Sequence, residues 1–282
     1  MSGEPIMGQR HRCAVIDGVM LAAVPADLPT SSTAAAGAYV PPGPRERLIR
    51  SARERGALQT ARSALAWASR FAAGPQVARR IRREPIFTLG DAQFAYRDSW
   101  HNWTWLNERA VEIPIAAAAL AGVSKSRAVE VGAVMTHYGA HGHRVVDKYE
   151  NGVEIEQIDI FDLPPEPIYD LVLSVSTLEH VGWDEPNRDA ELALSAAEHL
   201  KLLVAPGGEL LVTVPVGYHP RLDAAIRSGE LEFDEVLALR CHYPSMIWRE
   251  VEPSTVDDAE YDSLIYRAEA VLICRWTNQS DG

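Results

Sequence analysis

From residue 127 onward the chain alternates short apolar runs with stretches of helical spacing. The runs at 127–131, 144–147, 155–158, 169–175 and 209–214 have the length and β-branched content of buried strands. Between the last two, Ala190, Ala193, Leu194, Ala197, Leu200 and Val204 recur at helical spacing; Pro186 suits a first helical turn and Gly207-Gly208 its end. Two further runs, 245–251 and 268–276, predict closing strands around the acidic loop 252–262, an arrangement suited to an antiparallel edge. Strand and helix in alternation predict an α/β fold with a mostly parallel sheet covered by helices.

The pattern upstream is different. Residues 45–83 read as one or two helices broken near Gly74-Pro75, with Leu48, Ala52, Leu58, Ala61, Leu65 and Ala68 as an apolar stripe. Residues 1–44 are rich in Ala, Pro, Ser and Gly and predict a flexible tail. The expected organisation is a tail over 1–44, an arginine-rich helical region over 45–126 and a ligand-binding domain over 127–282.

Charge sharpens this division. The net charge is −12, yet residues 45–83 hold eleven arginines against Glu46 and Glu54, a local +9 beside −21 elsewhere. Such an arm can bind an anionic polymer or lipid, or pack on its own acidic body. No nucleic-acid partner is expected, because no aromatic-interleaved module accompanies the arginines. The cysteines at 13, 241 and 274 are far apart and lack histidines at metal-ligand spacing, which points to a reducing, cytoplasmic setting. No apolar run approaches a membrane span of about 18 residues. Arg10 and Arg12 before the apolar residues 13–23 imitate a secretion signal, but Asp17 interrupts the run.

Candidate chemistry sits where the strands end, since open parallel sheets bind ligands at their carboxyl edge. Gly132 closes the first strand and allows close backbone approach, with Glu130 beside it to receive a charged group. Asp147 ends the second strand, where a carboxylate can accept both hydroxyls of a ribose; Asp159 follows the third, placed for an adenine amino group. Ser174 and Ser176 end the fourth. Taken singly, each residue has a plain structural reading as a turn or helix cap.

In order and spacing, Ala128-Val-Glu-Val-Gly132, Val145-Val-Asp-Lys-Tyr-Glu150, Asp170 to His180 and Ala205 to Pro215 resemble the core of class I S-adenosylmethionine-dependent methyltransferases. The resemblance covers 128–217, about a third of the chain, and implies a Rossmann-like, seven-stranded, mostly parallel sheet with helices on both faces, an antiparallel last strand and preceding N-terminal helices. It implies S-adenosylmethionine as cofactor, held by Glu130, Gly132, Asp147 and Asp159, with Ser176 at its strand end lining the same crevice. One departure stands out: the usual Gly-x-Gly-x-Gly turn is Gly132-Ala-Val-Met-Thr-His-Tyr-Gly139, with only Gly132 in register. A pyrophosphate needs those glycines, whereas S-adenosylmethionine carries no phosphate, so the departure weighs against a dinucleotide. Thr136, His137 or Tyr138 then contacts the cofactor or braces it.

The segment Trp100-His-Asn-Trp-Thr-Trp-Leu-Asn-Glu-Arg109, with Asp147-Lys-Tyr-Glu150 and Ser176-Thr-Leu-Glu-His-Val-Gly-Trp183, is similar to a bacterial subset linked to polysaccharide or sugar O-methylation. That resemblance implies a carbohydrate or small-molecule acceptor and makes 45–126 an acceptor lid. Trp103 and Asn107 are substrate candidates and Arg109 a clamp for the cofactor carboxylate; the alternative is an amphipathic helix whose tryptophans pack on the sheet. Methyl transfer to a hydroxyl needs alignment and a base. His180, with Glu179 to orient it or act in its place, is the catalytic candidate, while His219 is a competing base or, with Tyr218, a substrate contact. Asp184 and Glu185 read as caps of the following helix. Mg²⁺ and a homo-oligomer stay open, because no ligand set or interface is legible. The other readings are an N- or phenolic O-methyltransferase and a non-catalytic binding subunit of the same fold.

Overall fold

The computed structural model describes residues 43–279, so the expected tail, apart from Gly43 and Pro44, and the apolar residues after Arg12 lie outside the described residues. In chain order the elements are α1 (Pro44–Arg55), α2 (Ala57–Arg82), β1 (Ile86–Leu89), β2 (Ala92–Ala95), α3 (Arg109–Ala121), β3 (Ala128–Val131), β4 (Arg144–Asp147), β5 (Glu156–Gln157), β6 (Tyr169–Val175), α4 (Leu192–Lys201), β7 (Val204–Pro215), α5 (Pro220–Ser228), β8 (Glu235–His242), β9 (Ile247–Val251), β10 (Tyr261–Asp262), β11 (Arg267–Ala268) and β12 (Ala270–Thr277).

The main sheet runs β5-β4-β3-β6-β7-β12-β8-β9. Strands β3 to β7 are mutually parallel, and β12 inserts antiparallel between β7 and β8. This is the expected Rossmann-like α/β sheet with its antiparallel last strand, built from eight strands rather than seven. The strand without a sequence signal is β8, whose Glu235, Arg240 and His242 break the apolar run and whose faces are mostly half-buried. Side chains alternate along the strands into two cores. On one face α4 and α5 cover Val172, Val212 and Leu272; on the other, α3 and the β1-β2 hairpin cover Leu171, Leu173, Leu211 and Ile273.

Two local expectations change. Pro186 does not open a helix, since α4 starts only at Leu192. Gly207-Gly208 lie inside β7 rather than between helix and strand. The pairing jumps from Tyr169 opposite Val204 to Leu171 opposite Glu209, and the glycines sit in the resulting bulge.

The helical arm breaks at Gly74, where φ is 72° before Pro75, and again at Gly56. Its apolar stripe is placed opposite to the sequence expectation. Leu58, Ala61, Leu65 and Ala68 face outward, while Trp67 and Phe71 on the other side pack edge-on against Trp103 at 5.5 and 5.4 Å. The edge-on ring contacts of Trp67 and Phe71 with Trp103 hold that face inward, and the leucines on the opposite face are left outside. Five arginines tie the arm to the acidic body. Arg55 pairs with Asp262 and Glu260, Arg79 and Arg82 share Asp98, Arg47 donates to the Leu264 carbonyl and Arg70 to that of Pro244.

Candidate functional site

A cavity of about 410 Å³ opens at the carboxyl ends of β3, β4 and β6. Of the residues singled out from sequence, Gly132, Asp147, Asp159, Ser176 and His180 line it. Val131, Ile158, Ile160, Phe161, Val181 and Leu192 supply its apolar walls. Its charged lining is Asp147, Glu150, Asp159, Asp184 and Glu185 against Lys148, with His180 beside them.

Gly132 adopts φ +90°, and a Cβ there would lie 2.0 Å from the Thr177 hydroxyl oxygen. The β3 and β6 loops meet too closely for any side chain. Asp147 organises the floor: its carboxylate accepts from the backbone N–H of Ala133, Tyr149 and Glu150 at 3.2, 2.8 and 2.7 Å. Asp159 accepts from Phe161 N–H at 3.1 Å and pairs with Lys148 at 3.0 Å; Lys148 also reaches Glu185 at 2.6 Å. Burial opposes the Lys148 charge, but these two carboxylates outweigh it and raise its pKa.

Glu130 is turned away from the cavity. One oxygen accepts from the N–H groups of Val134 and Met135 at 2.8 and 2.6 Å, the other meets His143 Nε2 at 2.9 Å, and the side chain is fully buried. It braces a loop that has only one of the usual glycines. Within that loop His137 pairs with Glu150 at 2.6 Å.

Behind the cavity lies a buried polar cluster. Glu112 on α3 accepts from the hydroxyls of Ser176 and Thr213 at 2.6 and 2.7 Å and pairs with Arg109 at 3.3 Å. Ser176 sits at φ 40°, a left-handed conformation costly for serine, which the bond to Glu112 helps to hold. Arg109 also donates to the Val175 carbonyl at 3.3 Å. Burial disfavours its charge, but Glu112 and Glu108 overcome this and raise its pKa. Arg109 thus faces protein groups and is not among the cavity-lining residues.

His180 is half exposed. Its Nδ1 meets Asp184 Oδ2 at 2.6 Å and its Nε2 lies 3.6 Å from Glu179 Oε1. Asp184 also accepts the Tyr218 hydroxyl at 2.6 Å. Burial works against the His180 charge, yet the bond to Asp184 raises its pKa; burial likewise opposes ionisation of Asp184, whose bonds from His180 and Tyr218 lower it. Asp184 therefore orients an imidazole instead of capping the next helix, which begins eight residues later. Sequence spacing held one overlooked clue, the i, i+4 separation of His180 and Asp184.

Glu179 is 1% exposed, and neither carboxyl oxygen has a hydrogen-bond partner. Burial pushes its pKa up to about 8, with His180 pulling the other way, so it holds a proton at neutral pH. Because the folded-state pKa lies above the unfolded value, the native state binds the extra proton and stability falls as pH rises from about 5 to 8. Glu108, raised by burial to about 7, and Asp223, raised by burial to about 6, act in the same direction. Glu179→Gln should be more stable than wild type by more than about 1 kcal/mol at pH 8 and gain much less at pH 5 in urea unfolding. Equal gains at both pH values would remove Glu179 as the titrating group.

The remaining candidates stand apart from the cavity lining. His219 is fully buried; its Nδ1 accepts from Leu222 N–H at 3.1 Å and caps α5, and burial lowers its pKa. Asn107 accepts from Arg109 N–H and donates to the Asn102 carbonyl, fixing the entry to α3. Trp103 packs on α2, Trp105 is fully buried, and Tyr218 reaches the site through Asp184. Among the described residues no group of three or more His, Cys, Asp or Glu is placed to hold a metal, so the Mg²⁺ reading finds no ligand set there. No described helix is long and apolar enough to cross a membrane.

No family model and no curated protein matches the chain. Among solved structures, the chain is similar to the N-methyltransferase NodS from Bradyrhizobium japonicum WM9 in complex with S-adenosyl-L-homocysteine, at 15% identity over 73% of this chain and 98% of that one, TM-score 0.39. It is also similar to the 1,6-didemethyltoxoflavin-N1-methyltransferase of Burkholderia thailandensis, at 16% identity over 70% and 100% of the two chains, TM-score 0.36. A SAM-dependent methyltransferase from Thermotoga maritima is similar at 16% identity over 54% and 82%, TM-score 0.33.

Proposed function

We propose that this chain is an S-adenosylmethionine-dependent methyltransferase. The observation that carries the reading is the sign of the cavity: five carboxylates and one lysine line a pocket at the carboxyl edge of a Rossmann-like sheet. A dinucleotide pyrophosphate would be repelled there, whereas a sulfonium cofactor with net positive charge is attracted. The donor set also fits the group. The Asp147 carboxylate keeps one acceptor position beyond its three backbone bonds for a ribose hydroxyl, Asp159 would take the adenine amine alongside Lys148, and Ile158, Ile160 and Phe161 suit an apolar ring.

For the acceptor we infer a hydroxyl, and by resemblance of 100–109 and 176–183 to the polysaccharide-linked subset, a sugar hydroxyl. The His180–Asp184 pair favours this over an amine. A hydroxyl holds its proton tightly and gains from a positioned base, whereas an amine is nucleophilic once neutral. When bound, the cofactor supplies an electrophilic methyl group. The chain's own part is to align the acceptor, exclude water and take its proton at His180 Nε2, with Asp184 holding the Nδ1 proton. His180 acts as base only when neutral, so turnover should rise with pH through its elevated pKa.

Isothermal titration tests the first half. S-adenosylmethionine and S-adenosylhomocysteine should both bind, and Asp147→Ala should weaken both by about 10-fold or more through loss of the ribose contact. Failure of both to bind wild type would overturn the reading. Cofactor consumption across sugars, amines and phenols then tests the acceptor class.

A further inference from the structure

We propose that the α1–α2 arm is a docking surface for an anionic lipid bilayer, lying flat in the headgroup region while the acidic body hangs away from it. The first observation is the outward face of α2. Leu58, Ala61, Arg62, Leu65, Ala68 and Ala72 recur at helical spacing within one face, and all are exposed, with Leu58 at 67% and Leu65 at 72%. These leucines are on a helix whose opposite face is already anchored by Trp67 and Phe71 against Trp103. The stripe is therefore not an unsettled core face awaiting rotation; it is held outward.

The second observation is charge. Arg45, Arg50, Arg53, Arg62, Arg80 and Arg83 are exposed on the same arm and make no ion pair among the described residues, unlike Arg55, Arg79 and Arg82, which pair with carboxylates of the body. On α1, Leu48 and Ile49 are exposed between Arg45 and Arg50. The Ser51 and Thr60 hydroxyls pair at 3.0 Å between the two helices, which joins them on their inner sides.

The combination selects the partner. A soluble polyanion would satisfy the arginines but leave the leucines in water. A second copy could cover the leucines, yet would bring another local charge of +9 against the first. An anionic bilayer takes both, with leucines in the acyl boundary and guanidinium groups at the lipid phosphates. The −21 carried by the rest of the chain would be repelled from the same surface and orient the body outward.

Flotation of the full chain with vesicles tests this without any cofactor or acceptor. The protein should float with equal parts phosphatidylglycerol and phosphatidylcholine at low salt, and stay behind with phosphatidylcholine alone. The double change Leu58→Ser with Leu65→Ser, and separately Arg50→Glu with Arg62→Glu, should each weaken binding by about tenfold or more while circular dichroism stays that of wild type. Absence of flotation with the anionic vesicles overturns the proposal. So does binding that the arginine changes abolish and the leucine changes leave intact, which indicates a polyanion site. A concentration-dependent dimer lost with the leucine changes, without flotation, assigns the face to a second copy instead.

Discussion

Replacing Glu112 by alanine is expected to lower the unfolding free energy by about 3–5 kcal/mol, the cost of removing one partner from a buried charged network. The carboxylate is fully buried and joins three elements: Arg109 on its own helix, Ser176 at the end of β6 and Thr213 in β7. Its loss leaves the largely buried Arg109 guanidinium hydrogen-bonded only to the Val175 carbonyl and two hydroxyls without their acceptor, and frees Ser176 from its left-handed conformation. Because Ser176 and its neighbour Thr177 line the cavity, the methyltransferase reading adds a fall in S-adenosylhomocysteine affinity. Glu112→Gln keeps the shape and one acceptor oxygen and should recover part of the loss. Urea unfolding of both variants checks this; a cost below about 1 kcal/mol for alanine would show that the network relaxes around the gap.

The second large effect is catalytic and rests on the methyltransferase reading. His180→Ala should cut turnover by about 10²-fold or more with little change in S-adenosylhomocysteine affinity, since the imidazole is one of nineteen residues around the cavity and makes its bond to Asp184, not to the floor. Asp184→Asn separates positioning from packing. It should reduce turnover by about tenfold or more and shift the rising limb of the pH–rate profile to lower pH, because the carboxylate is what raises the His180 pKa. The same downward shift should be visible by NMR titration of His180 without any acceptor. Unchanged turnover in His180→Ala, or an unmoved pKa in Asp184→Asn, would separate this pair from the chemistry.

The strand ends were legible because they depend on local pattern. A run of apolar residues ending in Gly132, Asp147 or Asp159 reports a buried strand whose last residue meets solvent, and parallel pairing then forces those ends to one edge. The roles of Glu130, Arg109, Asn107 and His219 were not legible, and for Trp103 packing was one of two readings. Each has an identity that suits ligand binding, and each is engaged instead by backbone or side-chain groups of the protein. Residue type states what a side chain can bind; only packing decides whether protein or ligand reaches it first.

Sequence alone determined the α/β class, the strand edge where the cavity opens, the break at Gly74-Pro75 and the charge division between arm and body, all of which follow from periodicity, conformational limits of single residues or simple counts. Tertiary structure decided the rest. It added β8 to the sheet, turned the leucines of α2 outward because two aromatic rings filled the inner face, and set Glu112 of α3 against Ser176 and Thr213. These outcomes depend on which of several chemically competent groups wins a contact, and that competition is settled between segments distant in the chain.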